Sequence, residues 1–257
     1  MLEFLQKGGR TMLLVTGDTH GNFSRFSKRN YGQYLGSKDI VIICGDFGLL
    51  WEDDKEFLYW KKFFEERAWT TLFVGGNHEN YNMIESYPIE MWNGGKVRKI
   101  AGEKIIHLER GQVFQIEGKK IFTFGGASSH DIEGGILDRS DPDFRNKAIH
   151  LRKRNVNFRV LNESWWEHEL PSEEEMQEGL KNLKKANNEV DIIISHCCSN
   201  ITQANFGVKG KDVLTDYFDI IEETVSFKHW YFGHYHQDRI LDDKHTILYH
   251  DLKEIRI

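Results

Sequence analysis

Residues 40–46 read IVIICGD, an apolar run that stops at a glycine and an aspartate. The same design recurs as MLLVTGD at 12–18, TLFVGGN at 71–77, IFTFGG at 121–126, DIIISH at 191–196 and WYFGH at 230–234. Hydrophobicity in these runs is continuous rather than alternating, and their content is β-branched and aromatic. That pattern predicts strands buried on both faces. Between them lie helical patterns. In DKEFLYWKKFFEERAW (54–69), Phe57, Trp60, Phe64 and Ala68 follow three- and four-residue spacing, with Lys and Glu opposite. PSEEEMQEGLKNLKKANN (171–188) opens with Pro, Ser and acidic residues and carries lysines near its end, as helix-end electrostatics favour. DVLTDYFDIIEETV (212–225) predicts a third helix.

Residues 97–125 read differently, as consecutive strands joined by turn-forming ERG and EGK, and the tail 238–257 as short strands around a DDKH turn. The element order predicts an α/β fold with two sheets and helices outside them, in one domain over 1–257. The stretch 127–170 is the least regular. It holds the basic, non-periodic RNKAIHLRKRNVNFR (145–159) and then ESWWEHELP (163–171), and reads as an irregular excursion that should carry function.

Composition narrows the classes. The 257 residues are 39% apolar and 29% charged with three prolines, which excludes a disordered polymer, a collagen-like repeat and a simple coiled coil. Lys plus Arg is 34 against 40 Asp plus Glu, a formal charge of −6, so the chain as a whole is no electrostatic trap for nucleic acid or an anionic membrane. Three cysteines, Cys44, Cys197 and Cys198, cannot all pair within one chain and form no C-x-x-C signature. Buried free thiols suit a reducing compartment. The opening MLEFLQKGGRTMLLVTGD has no apolar run long enough to predict a signal h-region, its apolar stretch leading straight into GD, and no window approaches the ~20 apolar residues of a membrane span. The expectation is a soluble, cytoplasmic protein.

What ends the strands is the chemistry. The runs terminate in Gly17-Asp18-Thr19-His20-Gly21, Gly45-Asp46-Phe47-Gly48, Gly76-Asn77-His78-Glu79, Ser195-His196 and Gly233-His234-Tyr235-His236. At the carboxyl ends of successive buried strands these groups should converge on one edge, where open α/β sheets bind ligands. Carboxylate, amide oxygen and imidazole form a donor set for Mn²⁺, Fe²⁺ or Zn²⁺. Asp18 with His20, and His234 with His236, are two apart and so share a side in extended chain. Taken singly, Asp18 reads as a helix N-cap, Asn77 as a turn residue, and His196 or His234 as a satisfied core histidine. The set changes that reading.

The series GDTHG, GDFG, GNHE, SH and GHYH, in that order from residue 17 to 236, resembles the calcineurin-like metallophosphoesterase superfamily. The resemblance implies a sandwich of two mixed β-sheets flanked by helices and a two-metal centre. Asp18, His20 and His236 would hold one ion; Asn77, His196 and His234 the other; Asp46 would bridge both. The ions would be manganese first, with Fe, Zn, Ni or Co as alternatives. It also implies attack on phosphorus by a hydroxide shared between the ions, with His78 assisting the leaving group. The charge sum, +4 from the ions, −2 from the two aspartates and −1 from hydroxide, leaves about +1, which attracts phosphate. Two-metal sites of this kind stabilise both attacking and departing oxygens.

The 127–169 stretch, with GGASSHD and ESWWEHELP, resembles a bacterial subgroup of the superfamily and marks Asp131, Arg159 and Trp165 as rim residues. Trp165-Trp166 reads equally as a loop anchor, a partner contact or a cleft wall. In the protein Ser/Thr phosphatase branch the second motif continues with an Asp and an Arg, where this chain has Leu49 and Leu50 and then Trp51. That removes a charged partner for His78 and points away from that branch. The expected activity is phosphatase or phosphodiesterase action on a small-molecule or nucleotide phosphoester. The alternatives are a nuclease or cyclic-nucleotide phosphodiesterase, favoured by the basic 145–159 segment, and a non-catalytic binding module on the same fold.

Overall fold

Each apolar run quoted above becomes a strand in the computed structural model, which describes residues 11–256. Residues 1–10, where the sequence predicts no signal segment, and Ile257 lie outside the described residues. The first half of the chain runs β1 (Leu13–Thr16), β2 (Ile40–Ile43), α1 (Lys55–Glu65), β3 (Thr70–Phe73), α2 (Tyr81–Glu85), β4 (Ile89–Trp92), β5 (Gly95–Ala101) and β6 (Ile105–Leu108). Next come β7 (Gln112–Ile116), β8 (Lys119–Phe124), β9 (Ile136–Leu137), α3 (Phe144–Lys153), β10 (Arg159–Val160) and α4 (Glu173–Lys185). The chain closes with β11 (Ile192–Ser195), α5 (Asn200–Ala204), α6 (Val213–Thr224), β12 (His229–Phe232), β13 (Arg239–Ile240), β14 (His245–Ile247) and β15 (Leu252–Glu254).

Two large mixed sheets result, in the orders β15-β1-β2-β3-β6-β5-β4 and β13-β14-β12-β11-β8-β7, with a small β10-β9 pair beside them. Side-chain alternation sorts the layers. Leu14, Val41, Ile43 and Phe73 face outward onto Phe57 and Phe64 of α1. Leu13, Val15, Ile42 and Leu72 face inward, onto Phe114, Ile121, Ile192 and Ile194 of the second sheet. The other face of that sheet, with Phe122, Phe124 and Trp230, packs on Met176 and Leu183 of α4 and Phe218 and Ile221 of α6. Both faces of the central strands are therefore covered, and each large side chain contributes about 2 kcal/mol by burial. Helix starts are fixed by side chains: Asp54 accepts from Glu56 N and Phe57 N, and Ser172 with Glu175 forms a capping box.

Register then decides where the chemistry lands. Thr16 pairs with Ile43 and Ile43 with Phe73, all in parallel, so β1, β2 and β3 end at one level. In the second sheet β8, β11 and β12 are parallel likewise. The turns that follow these strands meet along one rim.

Two elements depart from the sequence expectation. The basic segment read as non-periodic contains α3, a helix whose one buried residue is Ala148. Its stripe is short, Phe144, Ala148 and Leu151, with only Ala148 fully buried, and the basic residues crowded around it mask the 3.6-residue signal. The second is β4, an edge strand on which Ile89 and Met91 are exposed, so neither alternation nor a buried run betrays it. The 127–170 stretch thus carries α3 and the β9–β10 pair rather than irregular chain throughout. Among the described residues no helix is long and apolar enough to cross a membrane.

Candidate metal centre

β1, β2 and β3 deliver Asp18 and His20, Asp46, and Asn77 with His78; β11 and β12 deliver His196, and His234 with His236. The rim is thus shared by both large sheets. Backbone ties lock the turns together: Thr19 N and His20 N donate to Asp46 O at 3.0 and 2.8 Å. His78 N donates to Asp46 Oδ1 at 2.8 Å, and His234 N to Asp18 Oδ1 at 3.0 Å. Four of the seven ligand candidates, His20, Asp46, His234 and His236, hold φ between 46° and 67°. For residues with a Cβ that left-handed conformation costs about 1–2 kcal/mol each, strain that gathers at functional sites. Close approach also demands glycine. A Cβ on Gly76 would lie 2.1 Å from Asp46 Oδ1, and one on Gly233 would lie 2.0 Å from Asp18 Oδ1.

The donor atoms fall into two groups. In the first, His20 Nε2 lies 3.0 Å from His236 Nε2 and 3.7 Å from Asp46 Oδ2, while His236 Nε2 is 3.3 Å from Asp18 Oδ2. In the second, Asn77 Oδ1 lies 3.1 Å from both His196 Nε2 and His234 Nδ1, and His196 Nε2 is 3.3 Å from Asp46 Oδ2. Asp46 Oδ2 belongs to both. It is buried and has no hydrogen-bond partner. An orphaned carboxylate oxygen costs free energy unless a cation compensates it, and carboxylate, amide oxygen and imidazole are donors that suit a divalent ion. The residues therefore fit the metals that the resemblance implies.

Outer contacts aim these donors. His196 Nδ1 meets the Cys44 carbonyl at 2.7 Å, which turns Nε2 inward. Burial opposes charge on Asp46, but the His196 imidazole outweighs it and holds the carboxyl below its usual range; His196 is raised in return. Glu79 is fully buried, and burial with the neighbouring Asp46 charge pushes its pKa up to about 8. Its Oε1 accepts from Phe47 N at 2.6 Å, bracing the Asp46 turn. The Arg25 guanidinium, also buried, donates to Thr16 Oγ1 at 2.7 Å and to the carbonyls of Asp18 and Tyr249 at 2.8 and 2.6 Å.

His78 stands beside the two groups, its ring centroid 5.4 Å from that of His20. Burial and Arg159 lower its pKa against the pull of Asp46. Arg159 Nη2 is 3.1 Å from His78 Nδ1, and the same guanidinium pairs with Asp131. The expectation that His78 lacks a charged partner is corrected here: the cation comes from the 127–170 stretch rather than from the second motif. Leu49 and Leu50 are buried in the outer apolar layer with Phe47 and Phe57, and Leu49 also borders a cavity next to His20. Trp165 stands one step out from the cluster, its indole beside the Glu169 carboxylate that holds Ser129 next to Asn77. Its backbone closes the turn after Arg159 through Val160 and Asn162, and the next residue, Trp166, is buried against Trp51.

Sequence reading missed two further contributions from that stretch. His130 Nε2 lies 2.9 Å from His234 Nε2, on the imidazole edge opposite Asn77. Glu169 accepts from Ser129 N and Ser129 Oγ at 2.9 and 2.6 Å, and Ser129 Oγ is 3.4 Å from Asn77 Nδ2. This chain identifies which end of the Asn77 amide is nitrogen and turns its oxygen toward the imidazoles. A signal for His130 was present: IFTFGG before it repeats the strand-Gly-Gly ending of TLFVGG.

A model of the calcineurin-like phosphoesterase family matches residues 11–238. No curated protein matches the chain.

Proposed function

The chain belongs to the calcineurin-like phosphoesterases, and from that premise we propose that it hydrolyses a phosphomonoester or phosphodiester, as a single domain, at the cluster of strand-end side chains. Asp18, His20 and His236 would hold one divalent ion, Asn77, His196 and His234 a second, with Asp46 common to both. The observation that carries this reading is the buried, unpartnered Asp46 Oδ2 lying between imidazoles of the two groups. When bound, two such ions, Mn²⁺ foremost, supply Lewis acidity to the phosphoryl oxygens and lower the pKa of water.

The chain's own residues do the rest. Arg159, steadied by Asp131, offers a planar guanidinium to the non-bridging phosphate oxygens. His78, whose Nδ1 faces Arg159, assists the departing oxygen with a hydrogen bond from its other ring nitrogen. Glu79 and Arg25 hold the Asp46 and Asp18 turns in place so that no donor must reorganise during reaction. The three cysteines are free and buried, which supports a cytoplasmic setting.

The test is activity on an aryl phosphate after metal depletion and reconstitution with each ion, alongside metal analysis. Asp46→Asn and His234→Asn should each lose turnover together with bound metal. Full turnover in either variant would remove the reading.

A further inference from the structure

Beside the cluster lies a cavity of about 310 Å³ that shares His20 with it. Gly21 and Gly48, whose backbones adjoin, line it next to His20 and form a sill with no side chain of its own. The wall is aromatic: Phe23, Trp51 and Trp60 line it. Edge-to-face neighbours hold the two indoles, with Trp166 5.4 Å from Trp51 and Phe23 4.9 Å from Trp60. The mouth is acidic, with the exposed residues Glu52, Asp54 and Glu56, and no Lys or Arg is among the lining residues. Asp54 spends its carboxylate on the α1 N-terminus, which leaves Glu52 and Glu56 facing whatever enters.

We infer that this cavity seats the organic substituent of the phosphoester, and that the substituent is a flat ring that is neutral or positively charged. The inference rests on the phosphoesterase reading above and names the substrate class for that site. Phosphate binds among the strand-end ligands and Arg159, and the esterified group crosses the glycine sill into the aromatic wall. Indole faces favour flat and cationic groups. Two carboxylates at the mouth repel a second phosphate or carboxylate, and this disfavours polyphosphates and nucleic-acid chains as substrates. The size matches a ligand pocket, the lower bound for which is about 300 Å³.

The test compares three esters on the Mn²⁺-reconstituted full chain: para-(aminomethyl)phenyl phosphate, para-(carboxymethyl)phenyl phosphate and ethyl phosphate. A methylene holds each charge off the ring, but para-(aminomethyl)phenol remains the more acidic leaving group, so the wild-type preference is judged against that of the double variant. The cationic ester should exceed the anionic one in kcat/KM by about tenfold, the scale of two like-signed carboxylates several ångströms away. The double variant Glu52→Gln/Glu56→Gln, altered only at exposed positions, should bring the two within about twofold while leaving ethyl phosphate unchanged. Trp60→Leu should raise KM for both aryl esters and spare ethyl phosphate; Trp60→Phe, which keeps the packing on Phe23, should recover most of that loss. Equal rates for the two aryl esters, or a preference that survives the double variant, overturns the inference and leaves the phosphoesterase reading standing. If neither the three esters nor the diester bis(para-nitrophenyl) phosphate is hydrolysed, the phosphoesterase reading itself falls; hydrolysis of the diester alone overturns only the inference.

Discussion

Asp18, Asp46, Asn77, His196 and the His234/His236 pair reach the centre from strands whose register is set by ladders inside two large sheets. Asp131, Arg159 and His130 reach it from a stretch whose own sheet is two strands of two residues each. The first side is over-determined. Strained φ values, obligatory glycines and crossed backbone hydrogen bonds all specify the same positions. The second side is hung on a few side chains, chiefly the Arg159–Asp131 pair and the Glu169–Ser129 link. Under the proposed function, a fixed ligand side paired with a lightly anchored rim would let one reaction serve different esters.

The sharpest way to break that contrast is Asp46→Asn. It leaves Oδ1 available to His78 N but removes the shared charge, so kcat should fall by at least about 10³-fold and bound metal should drop, measured by aryl phosphate turnover and elemental analysis. Arg159→Ala comes next. A loss of about 10²-fold in kcat/KM with metal content unchanged would separate the two sides; metal loss in this variant would merge them. Glu169→Gln sharpens the boundary from the other direction, because Glu169 belongs to the lightly anchored stretch yet supports Asn77 through Ser129. Metal affinity should weaken by about tenfold, read by titration with Mn²⁺, while KM for substrate at saturating metal stays constant.

The smallest effect lies outside both sides. His245 sits 3.0 Å from Glu222 and 2.9 Å from Asp242. Burial lowers its pKa, and the two carboxylates overcome burial and raise it above the ordinary value. Because the folded pKa exceeds the unfolded one, the contribution is complete below about pH 6.5 and disappears as pH rises through the folded value. His245→Asn should therefore lower Tm by about 2–4 °C at mildly acidic pH, with the gap closing toward alkaline pH in a thermal melt series. A gap that widens with pH would contradict the raised pKa.

How much of this was legible depended on what each residue is anchored to. Asp18, Asp46, Asn77 and the imidazoles follow continuous apolar runs, so the strand signal and the ligand signal coincide in sequence. Their meeting at one rim follows from parallel register. Arg159 was marked as a rim residue through resemblance alone, and its reach to His78 crosses 81 positions with no periodic pattern to announce it. α3 stayed hidden because its stripe is three residues, Phe144, Ala148 and Leu151, set among basic side chains and only half-buried at its ends. The Ser129–Glu169 link and the Arg25 anchor are hydrogen bonds between distant side chains and backbone, which neither propensity nor spacing encodes.

Gly76 and Gly233 press carboxylate oxygens to within about a bond length and a half of where a methyl group would sit. Even alanine at either position displaces an aspartate that two strands have already aimed. Anyone seeking to redirect this protein by random mutagenesis should thus find survivors with new preferences clustered in the 127–170 stretch and around Glu52–Trp60, and almost none among the strand-end turns. The molecule is, in that sense, a fixed anvil carrying an exchangeable jig.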